Sequence, residues 1–259
     1  MSVITETRGH VFLIGVNRPQ KYNAFNLEVI DAFSRAYEEL GTNPELRVGV
    51  VYAVGDHFSA GLDLAEVGAK VAEVGPSALA GDYKFDPWGM WAPPVPKPVV
   101  LAVQGISYTL TIELALASDI VVAAQDVRFR QLEIGRGILP FGGATLRATA
   151  QLGWGNAMRF LLTAQEFGAE EAYRIGLVQE VVAPGEQLER AVEIAEVIAA
   201  QAPMGVQETL AGARIARDQG EDAAREHLKE ALARIMVSED AAEGVRSFLE
   251  RREADFTGR

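Results

Sequence analysis

The sequence predicts an α/β protein built on parallel strands, followed by a region of helices alone. Short apolar runs bounded by turn residues alternate with segments whose apolar residues recur at helical spacing. Strands apolar on both faces belong to a parallel sheet covered by helices on each side. From about Gln187 onward the pattern is helical throughout and rich in Ala, Glu and Arg. These patterns divide the chain into a core over 1–186 and a helical C-terminal region over 187–259.

His10 to Val16 reads as a buried strand that Asn17-Arg18-Pro19 ends with a turn. Asn26 is placed to cap a helix in which Ile30, Phe33, Tyr37 and Leu40 line one face. Val48 to Val54 is a second buried strand, closed by Gly55-Asp56. A long connector between Glu66 and Pro98 shows no sharp periodicity and carries Tyr83, Phe85, Trp88 and Trp91. Connectors of that length often wall a binding site, and with Phe141 these aromatics suggest a bulky or aromatic-lined pocket at Trp88, Trp91 and Phe141. Val99 to Val103 is a third strand, Thr111 to Ala117 a helix, Ile120 to Ala123 a fourth strand, and Leu177 to Val182 a fifth. Ser238-Glu239-Asp240 begins the last helix with a cap and acidic first-turn residues.

Composition removes several function classes. The chain of 259 residues is long enough for a sizeable core. Its net charge of −12 argues against a nonspecific nucleic-acid footprint, which needs clustered cations. With no cysteine there is no disulfide, thiol nucleophile or thiolate metal site. His10, His57 and His227 lack metal-ligand spacing, and no Gly-x-Ser-x-Gly elbow occurs. No basic leader segment and no membrane-spanning apolar run is evident, so a cytoplasmic protein that binds neither nucleic acid nor membrane is expected.

The residues that carry chemistry are a tight glycine turn, Phe58-Ser59-Ala60-Gly61-Leu62-Asp63-Leu64, and two glutamates, Glu113 and Glu133, each beyond an apolar strand-like run. Glu113 is flanked by Ile112, Leu114, Ala115 and Leu116, and a carboxylate buried in such a segment needs a partner or a purpose. Glu133 precedes a glycine-rich loop. A turn offering backbone N–H groups, with two carboxyl groups near it, can stabilise an enolate-like charge while protons move beside it. Asp63 reads as a helix cap, Asp119 as the anchor of a strand start, and Arg136 as a surface or interface salt bridge, with a role in holding a carboxylate or an unusual acyl group as the alternative.

These motifs resemble the crotonase family (the enoyl-CoA hydratase/isomerase superfamily). The resemblance is carried by Asn17-Arg18-Pro19, Asn23-Ala24-Phe25, Phe58 to Leu64, Pro98 to Gly105, Glu113-Leu114-Ala115 and Ser118-Asp119-Ile120. It continues through Phe129 to Glu133, Pro140 to Thr145, Ala169 to Val178, and Ser238 to Arg251. It implies a spiral of repeated ββα units with a helical C-terminal region, assembly as homotrimers or homohexamers, and acyl-CoA substrates. Coenzyme A then enters as part of the substrate, and no separate cofactor or metal is expected.

The resemblance also implies roles. The amides of Ala60 and Leu110 would hold the thioester oxygen, Glu113 would activate water and Glu133 would move the second proton. Gln20, Lys21, Tyr22, Ser59, Asp63, Leu64, Phe248 and Arg251 would bind the coenzyme A portion. Where the family has a glycine-rich triplet this chain has Thr109-Leu110-Thr111, and the leucine is expected to narrow the site or to strain a backbone that needs positive φ. Hydration of a 2-enoyl-CoA to a 3-hydroxyacyl-CoA is the reaction implied. An isomerase using Glu133 alone and a non-catalytic acyl-CoA-binding protein are the alternatives.

Overall fold

The computed structural model describes residues 1–259. It opens with a hairpin in which β1 (Val3–Arg8) pairs antiparallel with β2 (Val11–Val16). β2 is buried along its whole length, as its apolar run requires. β1 gives no such signal because it is an edge strand that buries only Val3 and turns Thr5, Glu6 and Thr7 to water. α1 (Leu27–Thr42) starts at Asn26, whose side-chain oxygen accepts the Val29 N–H at 3.1 Å, and it buries Ile30, Phe33, Tyr37 and Leu40. β3 (Val48–Ala53) then pairs parallel to β2.

The connector that follows is less irregular than its composition suggests. α2 (Leu64–Val74) and a 3₁₀ turn at Pro76–Leu79 occupy its first part. Asp63 stands at the start of α2 but its side chain caps nothing. It pairs instead with Arg18 at 2.9 Å, which holds its carboxyl below the usual range. After β4 (Val99–Val103) come β5 (Ile106–Tyr108), α3 (Leu110–Ala117), β6 (Ile120–Ala124) and β7 (Arg128–Arg130). Asp119 does anchor a strand start, accepting the Val99 N–H at 2.9 Å while pairing with Arg214.

A 3₁₀ turn at Glu133–Arg136 leads to α4 (Ala144–Leu152) and α5 (Trp154–Thr163), then β8 (Phe167–Gly168) and α6 (Ala169–Arg174). β9 is only Glu180–Val182, shorter than its apolar run, because the Leu177 and Val178 N–H groups both turn back to the Ala172 carbonyl to close α6. α7 (Gln187–Ala199), α8 (Pro203–Gln219), α9 (Glu221–Ile235) and α10 (Glu239–Glu250) complete the chain. The Ser238 hydroxyl caps α10 by accepting the Ala241 N–H. No helix is long and apolar enough to cross a membrane.

Two sheets organise the core. The larger has the order β1-β2-β3-β4-β6-β9 and is parallel from β2 onward; the smaller has the order β5-β7-β8. One face of the large sheet packs on α7, where Ala191, Val192 and Ala195 meet Leu13, Val50 and Val100. The opposite face carries Phe12, Ile14, Val51 and Leu101 into the main core with α1 and α3. In the first unit both strands, β1 and β2, lie in the large sheet, whereas in two later units the first strand enters the large sheet and the second the small one. β4 and β5 precede α3, and β6 and β7 precede the 3₁₀ turn of Glu133.

Asn23 links the first loops of this spiral. It is fully buried and donates to the Val54 and His57 carbonyls at 2.9 and 2.8 Å while accepting the Arg18 N–H at 2.7 Å. Removing it strands two carbonyls and an amide away from water, each a cost of about 1 to 3 kcal/mol. Asn23→Ala should therefore lower the free energy of urea unfolding by about 3 kcal/mol or more; a loss under about 1 kcal/mol would show that these loops are held by other means.

Candidate active site

The small sheet sets the geometry. Ser59 bridges to Ser107 of β5, and Ser107 pairs with Phe129 of β7, so three spiral units lie side by side in register. Leu62 lies three residues beyond Ser59, Leu110 three beyond Ser107, and Glu133 four beyond Phe129. All three line one cavity of about 190 Å³, together with Glu113, Ala60, Leu64, Trp88, Trp91 and Phe141.

The glycine turn corrects one expectation. The Ala60 N–H is already used, donating to the Tyr22 carbonyl at 2.9 Å, and the Gly61 N–H donates to Ser59 Oγ at 3.0 Å. The first amide in the turn without an acceptor in the chain is Leu62. Gly61 turns it outward with φ of +104°, and a side chain at that position would run into Thr109 Oγ1. Across the cavity the Leu110 N–H is also unpartnered, as first-turn amides of a helix are, and the dipole of α3 adds to its pull on an anion. The strained residue here is Thr109, at φ of +52°, while Leu110 itself is helical. A β-branched residue with positive φ is uncommon and clusters at functional sites.

The two carboxyl groups are buried and differently held. Glu113, 3% exposed, accepts the Gly142 N–H at 2.7 Å and the Ala144 N–H at 3.3 Å, both on Oε1, which leaves Oε2 without a hydrogen bond. Burial, then the charge of nearby Glu133, pushes the Glu113 carboxyl up to about 7. A Cβ at Gly142 would strike Glu113 Oε2, so a larger residue there would push the carboxyl group from its place. Glu133 accepts on Oε1 from the Gln131 amide at 3.1 Å, and its Oε2 is buried with no partner. Burial raises its carboxyl too. A buried, unpartnered carboxylate oxygen is costly unless a proton, a water or a ligand meets it.

The aromatic wall is built by residues that carry no chemistry themselves. Buried Asp86 accepts the N–H groups of Trp88, Met90 and Trp91, so one carboxylate folds the loop. The Trp88 indole donates to the Leu110 carbonyl at 3.1 Å and packs on Phe25 and Phe33. Arg147 donates to the carbonyls of Trp88 and Gly142, joining this wall to the loop that grips Glu113.

The remaining expected site residues lie outside the cavity lining, apart from Leu64. Ser59 is buried and committed, with Oγ donating to the Asn23 carbonyl at 2.8 Å while accepting from Gly61. Asp63 is held by Arg18. Gln20 and Lys21 sit on an exposed 3₁₀ turn, beside Tyr22 stacked on His57. Phe248, 81% exposed, and Arg251 lie at the end of α10. Arg136 forms no salt bridge within the chain and lines the cavity instead. Leu62, Thr109, Asp86, Gln131 and Arg147 were not anticipated as participants. Leu62 and Thr109 lie within motifs already singled out in the sequence and Asp86-Pro87 is a turn-initiating pair, whereas Gln131 and Arg147 left no local trace.

Comparison with known proteins places the whole chain in one family. The enoyl-CoA hydratase/isomerase family matches residues 6–259. The chain is 30% identical over 259 residues to enoyl-CoA hydratase EchA19 of Mycobacterium tuberculosis, covering 99% of this chain and 96% of that one. It is 31% identical to the short-chain-enoyl-CoA hydratase of Clostridium acetobutylicum, covering 98% and 97%. Its fold superposes with a TM-score of 0.97 on the crystal structure of a probable enoyl-CoA hydratase/isomerase from Mycobacterium abscessus, 46% identical, covering 100% of this chain and 99% of that one.

The raised Glu113 carboxyl has a measurable consequence. Its ordinary value is 4.5 and its folded value about 7, so between those pH values the folded state binds more protons than the unfolded chain. This contribution therefore destabilises the fold progressively as pH rises through that window. Glu113→Gln keeps both backbone bonds on Oε1 and removes the titration. Relative to the parent, its unfolding free energy should rise from pH 5 to pH 8 by on the order of 3 kcal/mol. A difference that does not change with pH would contradict the buried-carboxyl account.

Proposed function

This chain belongs to the enoyl-CoA hydratase/isomerase family, and we propose that within it the protein adds water across the 2,3-double bond of an enoyl-CoA thioester to give a 3-hydroxyacyl-CoA. The observation that carries this reading is the pairing, in one cavity, of two unpartnered amides with two buried, raised carboxyl groups.

The Leu62 and Leu110 amides hydrogen-bond the thioester oxygen, and each such donor is worth about 3 kcal/mol of transition-state stabilisation. Their pull drains electron density from the β-carbon. Glu113 takes a proton from water through Oε2 as the water oxygen bonds to that carbon, and the electron pair of the double bond moves into an enolate held at the amides. Glu133 then delivers its proton from Oε2 to the α-carbon. The cycle closes when the proton on Glu113 returns to Glu133, so water is consumed and neither glutamate is changed. The singly protonated pair is the reactive form, and its titration belongs to both groups together. Burial serves this by bringing carboxyl groups toward working pH.

An isomerase needs only Glu133 to shuttle a proton between carbons. Hydration uses both glutamates, and the burial of Glu113, gripped by Gly142 and Ala144 with one oxygen left over, favours it. Coenzyme A enters as the substrate's own handle, its nucleotide end taken by Gln20, Lys21 and Tyr22, with Phe248 and Arg251 contributed by α10 of the same or a neighbouring copy. The C-terminal helices carry exposed Leu228, Leu232, Val245, Phe248 and Leu249, an apolar surface that supports assembly as a homotrimer or homohexamer.

Two measurements follow. With an enoyl-CoA panel assayed by mass spectrometry for gain of one water, Glu113→Gln and Glu133→Gln should each lower turnover by about a hundredfold or more with little change in acyl-CoA affinity. Loss on Glu133→Gln alone, with an isomerised alkene as product, would assign the isomerase instead. Light scattering at micromolar concentration should report a trimer or hexamer, and a stable monomer would rule out the assembly.

A further inference from the structure

Arg136 stands in the cavity wall for no reason the hydration chemistry requires. It closes the 3₁₀ turn that begins at Glu133, and residues three apart in such a turn eclipse one another. Its side chain therefore leaves the backbone on the side that Glu133 does, and both line the cavity. Arg136 is the only cationic side chain in that lining, set beside Leu132, Ile138 and Phe141.

The cavity's own acids do not hold this charge. Asp86 is occupied by three backbone N–H groups, and Glu113 by two. Burial raises the Glu133 carboxyl, and the groups that oppose that rise are backbone N–H groups and the Gln131 amide, not Arg136. The Arg136 side chain is thus exposed at the cavity with no hydrogen bond or ion pair in the chain, and its guanidinium is available to a ligand.

The register of the small sheet fixes the side on which it lies. The order across the sheet runs from Ser59 through Ser107 to Phe129. The residues proposed for the nucleotide end, Tyr22 and Asp63 among them, join the Ser59 side through the Ala60–Tyr22 and Asp63–Phe25 backbone bonds. Arg136 belongs to the Phe129 side. With the thioester oxygen between the Leu62 and Leu110 amides, the nucleotide leaves toward the first strand and the acyl group faces the last.

We propose that Arg136 is a specificity residue that selects enoyl thioesters whose acyl chain ends in a second carboxylate, the mono-CoA thioesters of unsaturated dicarboxylic acids. A guanidinium matches a carboxylate through two parallel N–H···O bonds, a geometry lysine cannot reproduce. Arg136 is exposed where it meets the cavity, with Leu132, Ile138 and Phe141 beside it, so an acyl carboxylate reaches it at the cavity's open side. The proposal rests on the reading of this cavity as the acyl site of a hydratase.

The test compares matched acyl chains, 2-hexenedioyl mono-CoA against 2-hexenoyl-CoA for turnover, and adipyl-CoA against hexanoyl-CoA for calorimetric binding. The parent should favour the carboxylated member of each pair by tenfold to a hundredfold, and Arg136→Leu should bring the ratio to about one or below. Arg136→Lys should recover only part of it. If Arg136→Leu weakens both members equally, the arginine serves the shared coenzyme A portion or the fold, and the proposal is overturned. A parent preference for the uncharged chain overturns it as well. If neither enoyl ester gains water while the binding ratio still depends on Arg136, the hydratase reading fails and the specificity assignment stands.

Discussion

Ser59, Ser107 and Phe129 lie side by side in the small sheet, joined by backbone bonds such as Ser59 N–H to Ile106 O and Tyr108 N–H to Ser59 O. This register decides where every reacting group of the site stands. A strand slip of one residue reverses which face each side chain takes. It would carry Leu62, Leu110 or Glu133 away from the cavity even if every helix kept its place. The apolar large sheet, with α7 on one face and the main core on the other, holds the spiral units at the spacing this register needs.

Within that frame the site is a set of polar groups deliberately left over after the rest are satisfied. In the glycine turn the Ala60, Gly61 and Asp63 amides all find acceptors, and the Leu62 amide between them does not. On α3 the Leu110 amide is free because helix geometry leaves first-turn donors unpaired. Glu113 is gripped on one oxygen alone, and Glu133 keeps a buried oxygen without any partner. Each unpaired group costs stability, and a low-dielectric surrounding strengthens its interaction with a substrate charge. The strained backbone at Thr109 belongs to the same economy: it lets α3 begin where its first free amide faces the glycine turn.

Much of this was legible in the sequence, and the part that was not has a physical reason. β2, β3, β4 and β6 are buried on both faces and so announce themselves as apolar runs. β1 is a half-exposed edge, and β5, β7 and β8 have two or three residues each, too few to show a period. Glu113 stood out because a carboxylate amid Ile112, Leu114 and Leu116 has to be explained. The choice between Ala60 and Leu62 as oxygen-holding amide could not be read locally, since it depends on the Tyr22 carbonyl nearly forty positions earlier in the chain taking the Ala60 N–H. Asp63 looked like a helix cap for the same reason, because its partner Arg18 is distant in sequence. For Arg136 the sequence left a surface salt bridge and a carboxylate-holding role both open, and the 3₁₀ turn that puts this exposed side chain in the cavity lining with Glu133 favours the second.

The central claim is that the Leu62 and Leu110 amides polarise a thioester carbonyl between them. Its most direct measurement is an isotope-edited vibrational difference spectrum of an enoyl-CoA labelled at the thioester carbonyl, bound to the Glu113→Gln variant so that turnover does not consume it. Two hydrogen bonds in a site shielded from water should draw the carbonyl stretch to lower frequency than the same thioester shows in water. A bound carbonyl at or above its frequency in water would contradict the claim.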